Sequence, residues 1–92
     1  MSSVTIIIDE ISGSPMVGTS LIRGRQIHQH ENGEMIDHLG IVNVILAGKG
    51  YTEGLRNGGV LGVGRRVSVR GPMWEIRIEG RKWGVGVNWR VL

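Results

Sequence analysis

The residues best suited to chemistry in this sequence are arginines in its second half. Residues 49–92 contain nine basic side chains and three carboxylates, whereas residues 1–48 contain two basic side chains and five carboxylates. Nine of the eleven basic residues are Arg, and a planar guanidinium with five donors is well matched to phosphate oxygens. The charge distribution therefore indicates a basic surface for an acidic partner, formed by the second half of the chain.

The arginines alternate with hydrophobic residues at the period of a β-strand. Alternation occurs in residues 65–70 (RRVSVR), in residues 73–79 (MWEIRIE) and, after a turn at 79–82, in residues 83–91 (WGVGVNWRV). A period of two places successive side chains on opposite faces of a sheet. We therefore predict a C-terminal hairpin from Met73 to Val91, with hydrophobic residues facing inward and arginines facing solvent.

A basic sheet surface of this kind is typical of proteins that bind nucleic acid, because cations contact phosphates and aromatic rings stack on bases. Trp74 and Trp89 align with Val and Ile and are predicted to lie in the core. Trp83, at a strand edge, and Tyr51, in a glycine-flanked loop, are predicted to stack on bases. The full set of predicted nucleic-acid contacts is Arg66, Arg70, Arg77, Arg81, Lys82, Arg90, Trp83 and Tyr51.

The remaining segments must form the scaffold that positions these side chains. Strands are predicted at Val4–Ile8, Thr19–His28, Leu39–Leu46 and Arg65–Arg70, with a turn at Asn32-Gly33 and one helical turn at Thr52–Arg56. The 16 glycines favour tight turns between short strands. No linker or repeat divides the chain, so we predict one all-β domain over residues 1–92, a small β-barrel that closes with the C-terminal hairpin.

The middle of the chain resembles OB-fold single-stranded-DNA-binding proteins. The resemblance is carried by an apolar strand that ends in Gly48-Lys49, a polar connection with Leu55-Arg56, a strand with Gly64, Val67, Val69 and Gly71, and a hairpin that contains RKW. The resemblance implies an OB-like barrel whose last three strands line a groove for single-stranded DNA or RNA, bound with little sequence specificity.

A metal site is an alternative interpretation of the first half. His28, His30 and Glu34 form H-x-H-x-x-x-E, which resembles the first motif of the cupins. Strand neighbours two residues apart point to one face, as a shared metal requires. His38 and Glu75 are further candidate ligands. This resemblance implies a cupin-like jelly roll.

Several classes of protein do not fit the composition. The chain has no Cys, which excludes disulfides, thiolate metal sites and a cysteine nucleophile. No pattern places a base beside a nucleophile, so we expect neither an enzyme nor a bound cofactor. No apolar run approaches a membrane span, and we expect a cytoplasmic or virion protein. The remaining alternative is a structural subunit, viral for example, of a homo-oligomeric β assembly. Because small β-barrels commonly function as oligomers, self-association is compatible with nucleic-acid binding.

Overall fold

The computed structural model describes residues 3–14, 16, 18–29, 36–48 and 52–92. Within these residues the chain forms seven strands and one short helix. The elements are β1 (Ser3–Gly13), β2 (Ser20–Gln29), β3 (Ile36–Leu46), α1 (Thr52–Asn57), β4 (Arg66–Arg70), β5 (Trp74–Ile78), β6 (Arg81–Gly86) and β7 (Trp89–Val91). The predicted all-β class is confirmed, and the helical turn predicted at Thr52–Arg56 is present as α1.

The strands form one sheet in the order β5-β6-β3-β2-β1-β4-β7. The β3–β6 pair is parallel, and the other neighbouring pairs are antiparallel. The β2–β3 register extends to Gln29↔Ile36, while the turn predicted at Asn32-Gly33 lies outside the described residues. Among the described residues the hydrogen-bonded ladder has two edges, β5 and β7, so it does not form the closed ring of a barrel there.

The sheet nevertheless curls strongly. Four strands separate β6 from β7 in the sheet order, yet Val87-Asn88 alone connects them. The backbone N–H of Ala47 donates to the Gly86 carbonyl (2.9 Å), and that of Arg70 donates to the Asn88 carbonyl (2.7 Å). The β3 side and the β4 side of the sheet therefore meet at the β6–β7 connection.

The concave face of this curl holds the hydrophobic core. Its buried members are Ile6, Ile8, Ile22, Val44, Leu46, Leu61, Val67, Val69 and Trp89. Trp89 is 3 % exposed, and its indole N–H donates to the Ala47 carbonyl at 2.9 Å. The prediction that Trp89 lies in the core is thus confirmed. Because the ring packs beneath β7 and bonds to the residue after β3, it joins the two sides that the curl brings together.

A close approach between β1 and β2 depends on a glycine. A Cβ atom at Gly24 would lie 2.1 Å from the carbonyl oxygen of Ile7 and 2.8 Å from Cγ2 of Ile6. The first distance is far below van der Waals contact with a rigid backbone atom. A larger residue at this position would therefore push the two strands apart.

Helix α1 connects β3 to β4 and is anchored to the start of β2. The hydroxyl groups of the two buried residues Ser20 and Thr52 lie 2.6 Å apart, within hydrogen-bond distance. The Thr52 hydroxyl also donates to the Gly18 carbonyl (3.1 Å), and Nη1 of Arg56 donates to the Ser20 hydroxyl (2.8 Å). Arg56 therefore acts in the scaffold, as a donor that holds the helix in place.

The C-terminal segment differs from its prediction in two ways. Residues 83–91 do not form one strand, because the chain bends at Val87-Asn88, and Val87 is exposed. Trp74, predicted to lie in the core, is 65 % exposed. The predicted hairpin is therefore formed by β5 and β6 alone, and β7 belongs to the other side of the sheet.

Candidate nucleic-acid interface

The predicted cations divide into two regions of the sheet. Arg66, Arg70 and Arg90 lie on β4 and β7, whereas Arg77, Arg81 and Lys82 lie on the β5–β6 hairpin. Tyr51, the remaining predicted contact besides Trp83, lies outside the described residues. The two groups belong to opposite ends of the sheet order, so we describe them separately.

The first region, which we call the β4–β7 surface, is formed by Ser68, Arg70, Asn88, Trp89 and Arg90. These residues line a shallow cavity of about 160 Å³. Ser68 is the register partner of Arg90 on one side and of Thr5 on the other. Arg70 and Arg90 are exposed, and within the described register every partner of β4 is uncharged or basic. This surface is basic, but its tryptophan is buried.

The second region is built on the β5–β6 hairpin, which turns at Glu79-Gly80. Both turn residues have positive φ, 51° and 78°, as a type I′ turn requires. Arg81 and Lys82 follow the turn immediately, and both are exposed. The tight turn therefore holds two adjacent cations at the tip of the hairpin.

The tip of the hairpin lies beside β1 and β2 on the solvent face of the sheet. One cavity of about 160 Å³ is lined by Glu10, Ile11, Ser12, Leu21, Arg23, Arg81 and Trp83. These residues come from β1, β2 and β6, although β2 and β3 separate β1 from β6 in the sheet order. A shared cavity therefore requires the hairpin to lean toward β1 and β2.

A wider cleft opens where the hairpin diverges from β3. It measures about 470 Å³, and its lining includes Ile41, Asn43, Lys82 and Trp83. The parallel β3–β6 pairing begins at Val44↔Gly84, so the preceding residues of the two strands separate and leave the cleft between them. We call the cleft and the adjoining cavity the hairpin groove.

The burial of the two hairpin tryptophans is the reverse of the prediction. Trp83 is 9 % exposed and lines both parts of the hairpin groove, which corrects the expectation of an open stacking ring. Trp74 occupies the edge strand β5, opposite Val85 in register, and is largely exposed. Trp83 therefore lines the groove as a buried residue, whereas Trp74 is an accessible ring on the same hairpin that lines neither part of the groove.

Sequence reasoning missed Arg23, which lies in the acidic half of the chain. Arg23 lies between the buried residues Ile22 and Gly24, so its side chain points to the solvent face of β2, where it lines the hairpin groove. Its register partners are Glu10 on β1 and Asn43 on β3. The alternation within β2 was the signal that could have identified it.

The hairpin groove contains both signs of charge. Glu10 lines the part near β1, Glu75 lines the cleft beside β3, and Glu79 lines a small cavity at the turn. Arg25, farther along β2, forms an ion pair with Asp9 at 3.1 Å. The groove is therefore less strongly basic than the β4–β7 surface, and its distinguishing feature is the combination of cations with tryptophan.

Only part of the predicted metal site lies within the described residues. His28 is exposed near the end of β2, while His30 and Glu34 lie outside the described residues. Among the residues that the structure describes, no group of three or more His, Asp or Glu side chains could hold a metal ion. The described helix is too short to span a membrane.

Comparisons of the chain with protein-family models, with curated proteins and with solved structures give no match. The basis for a functional proposal is therefore the chemistry of the two basic regions.

Proposed function

We propose that this protein binds single-stranded nucleic acid, DNA or RNA, in the hairpin groove with little sequence specificity. The observation that carries the proposal is the exposed ring of Trp74 on the same hairpin as Arg81 and Lys82. An exposed indole presents a flat apolar surface on which a base can stack. A nucleotide offers both a flat base for the ring and a phosphate for the cations.

The connectivity supports an OB-like barrel as the fold behind this proposal. An OB-fold is a five-stranded, partly open barrel that binds oligonucleotides on the face of its second and third strands and on the loops beside them. Here β1, β2, β3 and β4 curl around one core, and α1 joins β3 to β4. Strand β6 pairs with β3 in parallel, and β7 pairs with β4 antiparallel. In such a barrel β5 and the turn at Glu79-Gly80 would belong to the connection between the last two strands.

Stacking is expected to supply base affinity without base selection. A base on an aromatic ring contributes about 1 to 3 kcal/mol, and every base has a face that can stack. Ile41, which lines the cleft, is 63 % exposed and adds apolar surface to the groove. Trp74 would therefore bind a base of any identity.

The cations are expected to contact the phosphates. Arg81 and Lys82 at the hairpin tip and Arg23 on β2 lie along the groove. Each phosphate that is neutralised on a single strand changes the slope of log affinity against log salt by about −0.7. Three such contacts predict a slope of about −2, since the carboxylates in the groove limit further gain.

The first test is a titration of fluorescently labelled oligonucleotides of about 30 nucleotides, single-stranded DNA, single-stranded RNA and duplex DNA, at two salt concentrations. We expect both single strands to bind more tightly than the duplex, because a base in a duplex cannot reach the ring. Affinity should fall as salt increases. Absence of binding by either single strand at low salt would overturn the proposal.

The second test separates stacking from charge. Trp74→Ala should weaken binding about 5- to 150-fold, as expected for the loss of one stacked base, whereas Trp74→Phe retains a ring and should recover most of the affinity. The salt slope should be the same for both variants, because neither changes a cation. Equal affinity of Trp74→Ala and wild type would show that the ring does not contact the ligand.

A further inference from the structure

Strand β5 is an edge of the sheet. In the described part of the chain its one strand neighbour is β6, which leaves its other side open. An open edge presents unpaired N–H and C=O groups that readily pair with another strand. The sequence of β5 is Trp-Glu-Ile-Arg-Ile, and it lacks the Pro and Lys residues that commonly block such an edge.

The turn at Glu79-Gly80 determines which residues of β5 direct their backbone N–H and C=O groups toward the open edge of the sheet. Ile78 and Arg81 are register partners that flank the two-residue turn, so they exchange hydrogen bonds with each other. Bonded and non-bonded pairs alternate along an antiparallel ladder. The backbone groups of Ile78, Ile76 and Trp74 therefore point toward β6, and those of Arg77 and Glu75 point to the open edge.

We propose that a second copy of this chain pairs with β5 antiparallel, about a two-fold axis at Ile76. In this register Glu75 lies opposite Arg77 of the partner subunit and Arg77 lies opposite Glu75 of the partner subunit. These are the residues whose backbone groups point outward, so each pair can exchange two backbone hydrogen bonds. Hydrogen bonding and side-chain charge thus select the same register.

The charges exclude the neighbouring symmetric registers. An axis at Glu75 would place two carboxylates opposite each other, and an axis at Arg77 would place two guanidinium groups opposite each other. Like charges directly opposite on adjacent strands are destabilising, whereas opposite charges contribute about 0.2 to 1 kcal/mol. A two-fold axis between two residues would pair a residue whose backbone groups point to the open edge with one whose backbone groups point toward β6. Such a pair cannot exchange hydrogen bonds, so the ladder would be interrupted.

The apolar side of β5 is also self-complementary. With the axis at Ile76, Trp74 lies beside Ile78 of the partner subunit, and the two Ile76 side chains meet at the axis. Paired residues of adjacent strands lie on the same face, so the Trp74 rings of both copies remain on one face of the enlarged sheet. Self-pairing and base stacking are therefore compatible, and the dimer does not depend on nucleic-acid binding.

The contact is small, and we expect it to be weak. It comprises about four backbone hydrogen bonds and one short row of side chains, well below the roughly 1,200 Å² of a stable interface. We expect a dimer that dissociates on dilution into the low micromolar range, with a dissociation constant of about 10 to 100 μM, as is typical of small transient contacts.

Charge exchange tests the register directly in sedimentation velocity experiments, from about 5 to 500 μM protein, a range set by the expected weak affinity. Glu75→Arg and Arg77→Glu should each be monomeric, because each places like charges opposite one another. An equimolar mixture of the two variants should dimerise, and so should the double variant E75R/R77E. Glu53→Arg and Arg65→Glu, which make the same charge changes on α1 and before β4, should dimerise like the wild type.

Circular dichroism of each variant checks that loss of the dimer is not caused by loss of the fold. The double variant is a second control for folding, because it carries both substitutions and should still dimerise. A wild-type chain that stays monomeric at 500 μM would overturn the proposal. So would a dimer that the single charge reversals leave intact, because that dimer would use another surface. Monomeric behaviour of both the mixture and the double variant would reject the register.

Discussion

The β4–β7 surface and the hairpin groove carry the same kinds of cation in different surroundings. Arg70 and Arg90 extend from short strands over a tryptophan that is buried in the core. Arg81 and Lys82 extend from a hairpin that also holds the exposed ring of Trp74. The comparison shows that basic charge alone does not distinguish the two regions. What distinguishes them is the accessibility of an aromatic ring, which follows from the position of each strand in the sheet.

The largest expected difference between the regions is the effect of removing a tryptophan on folding. Trp89→Ala should lower the free energy of unfolding by about 3 to 5 kcal/mol, because it empties part of the core and removes the donor to Ala47. Trp74→Ala should lower it by less than about 0.5 kcal/mol, the usual range for a surface residue. Urea denaturation followed by circular dichroism measures both, and equal losses for the two variants would contradict the described burial.

The glycines of β6, the strand that leads from the hairpin to β7, should show the next largest effect on the free energy of unfolding. A Cβ atom at Gly86 would lie 2.8 Å from Cγ1 of Val69 in the core, whereas one at Gly84 would meet the flexible side chain of Met73 at 3.3 Å or more. We expect Gly86→Ala to cost about 1 to 3 kcal/mol and Gly84→Ala less than about 1 kcal/mol, since overpacking is costly where neighbours cannot move. Thermal denaturation of the matched pair checks the order, and the reverse order would contradict it.

Paired removal of cations compares the two regions in binding. R81A/K82A should weaken single-strand binding about tenfold and make the salt slope less negative by about 1.4, the value for two phosphate contacts. R70A/R90A removes the same charge from the β4–β7 surface and should change affinity by about twofold or less, through the long-range field alone. Fluorescence anisotropy at several salt concentrations measures both slopes. A larger loss for R70A/R90A would move the interface to β4 and β7.

The smallest expected effect concerns the turn. Glu79 adopts a φ of 51°, which is unfavourable for a residue other than Gly, Asn or Asp. Glu79→Asn should stabilise the protein by roughly 0.5 to 1 kcal/mol. It should also strengthen binding about two- to threefold, because it removes a carboxylate from the hairpin tip, next to Arg81 and Lys82. Thermal denaturation and anisotropy report these effects separately, and destabilisation would be inconsistent with the type I′ turn.

Much of the strand content could be predicted from the sequence because alternation is a local signal. The valines of β4 are buried and its arginines lie on the other face, as the period of two requires. The turn at Glu79-Gly80 and the helical turn at Thr52 were also marked by local residue types. Each of these features depends on residues close together in the chain.

Which face of the hairpin is buried could not be predicted from the sequence, because burial depends on residues that are far apart in the chain. Alternation showed that Trp74, Ile76 and Ile78 share a face, but it did not show whether other strands cover that face. Coverage depends on β6 pairing with β3, which lies about forty residues earlier in the chain. The bend at Val87-Asn88, which separates Trp83 from Trp89, likewise follows from the curl of the whole sheet. Arg23 could not be predicted from regional charge, because it lies in the acidic half of the chain.

Heteronuclear NMR of the ¹⁵N-labelled protein titrated with a single-stranded oligonucleotide tests the central claim most directly. The three tryptophan indole N–H signals report on both regions, because Trp83 lines the hairpin groove, Trp74 is exposed on the same hairpin, and Trp89 belongs to the β4–β7 surface. We expect the largest shifts at the Trp74 indole and at the amides of Arg81, Lys82 and Arg23, with little change at the Trp89 indole, Arg70 and Arg90. Shifts concentrated at Trp89, Arg70 and Arg90, with Trp74 unchanged, would contradict the proposal that the hairpin groove is the binding site.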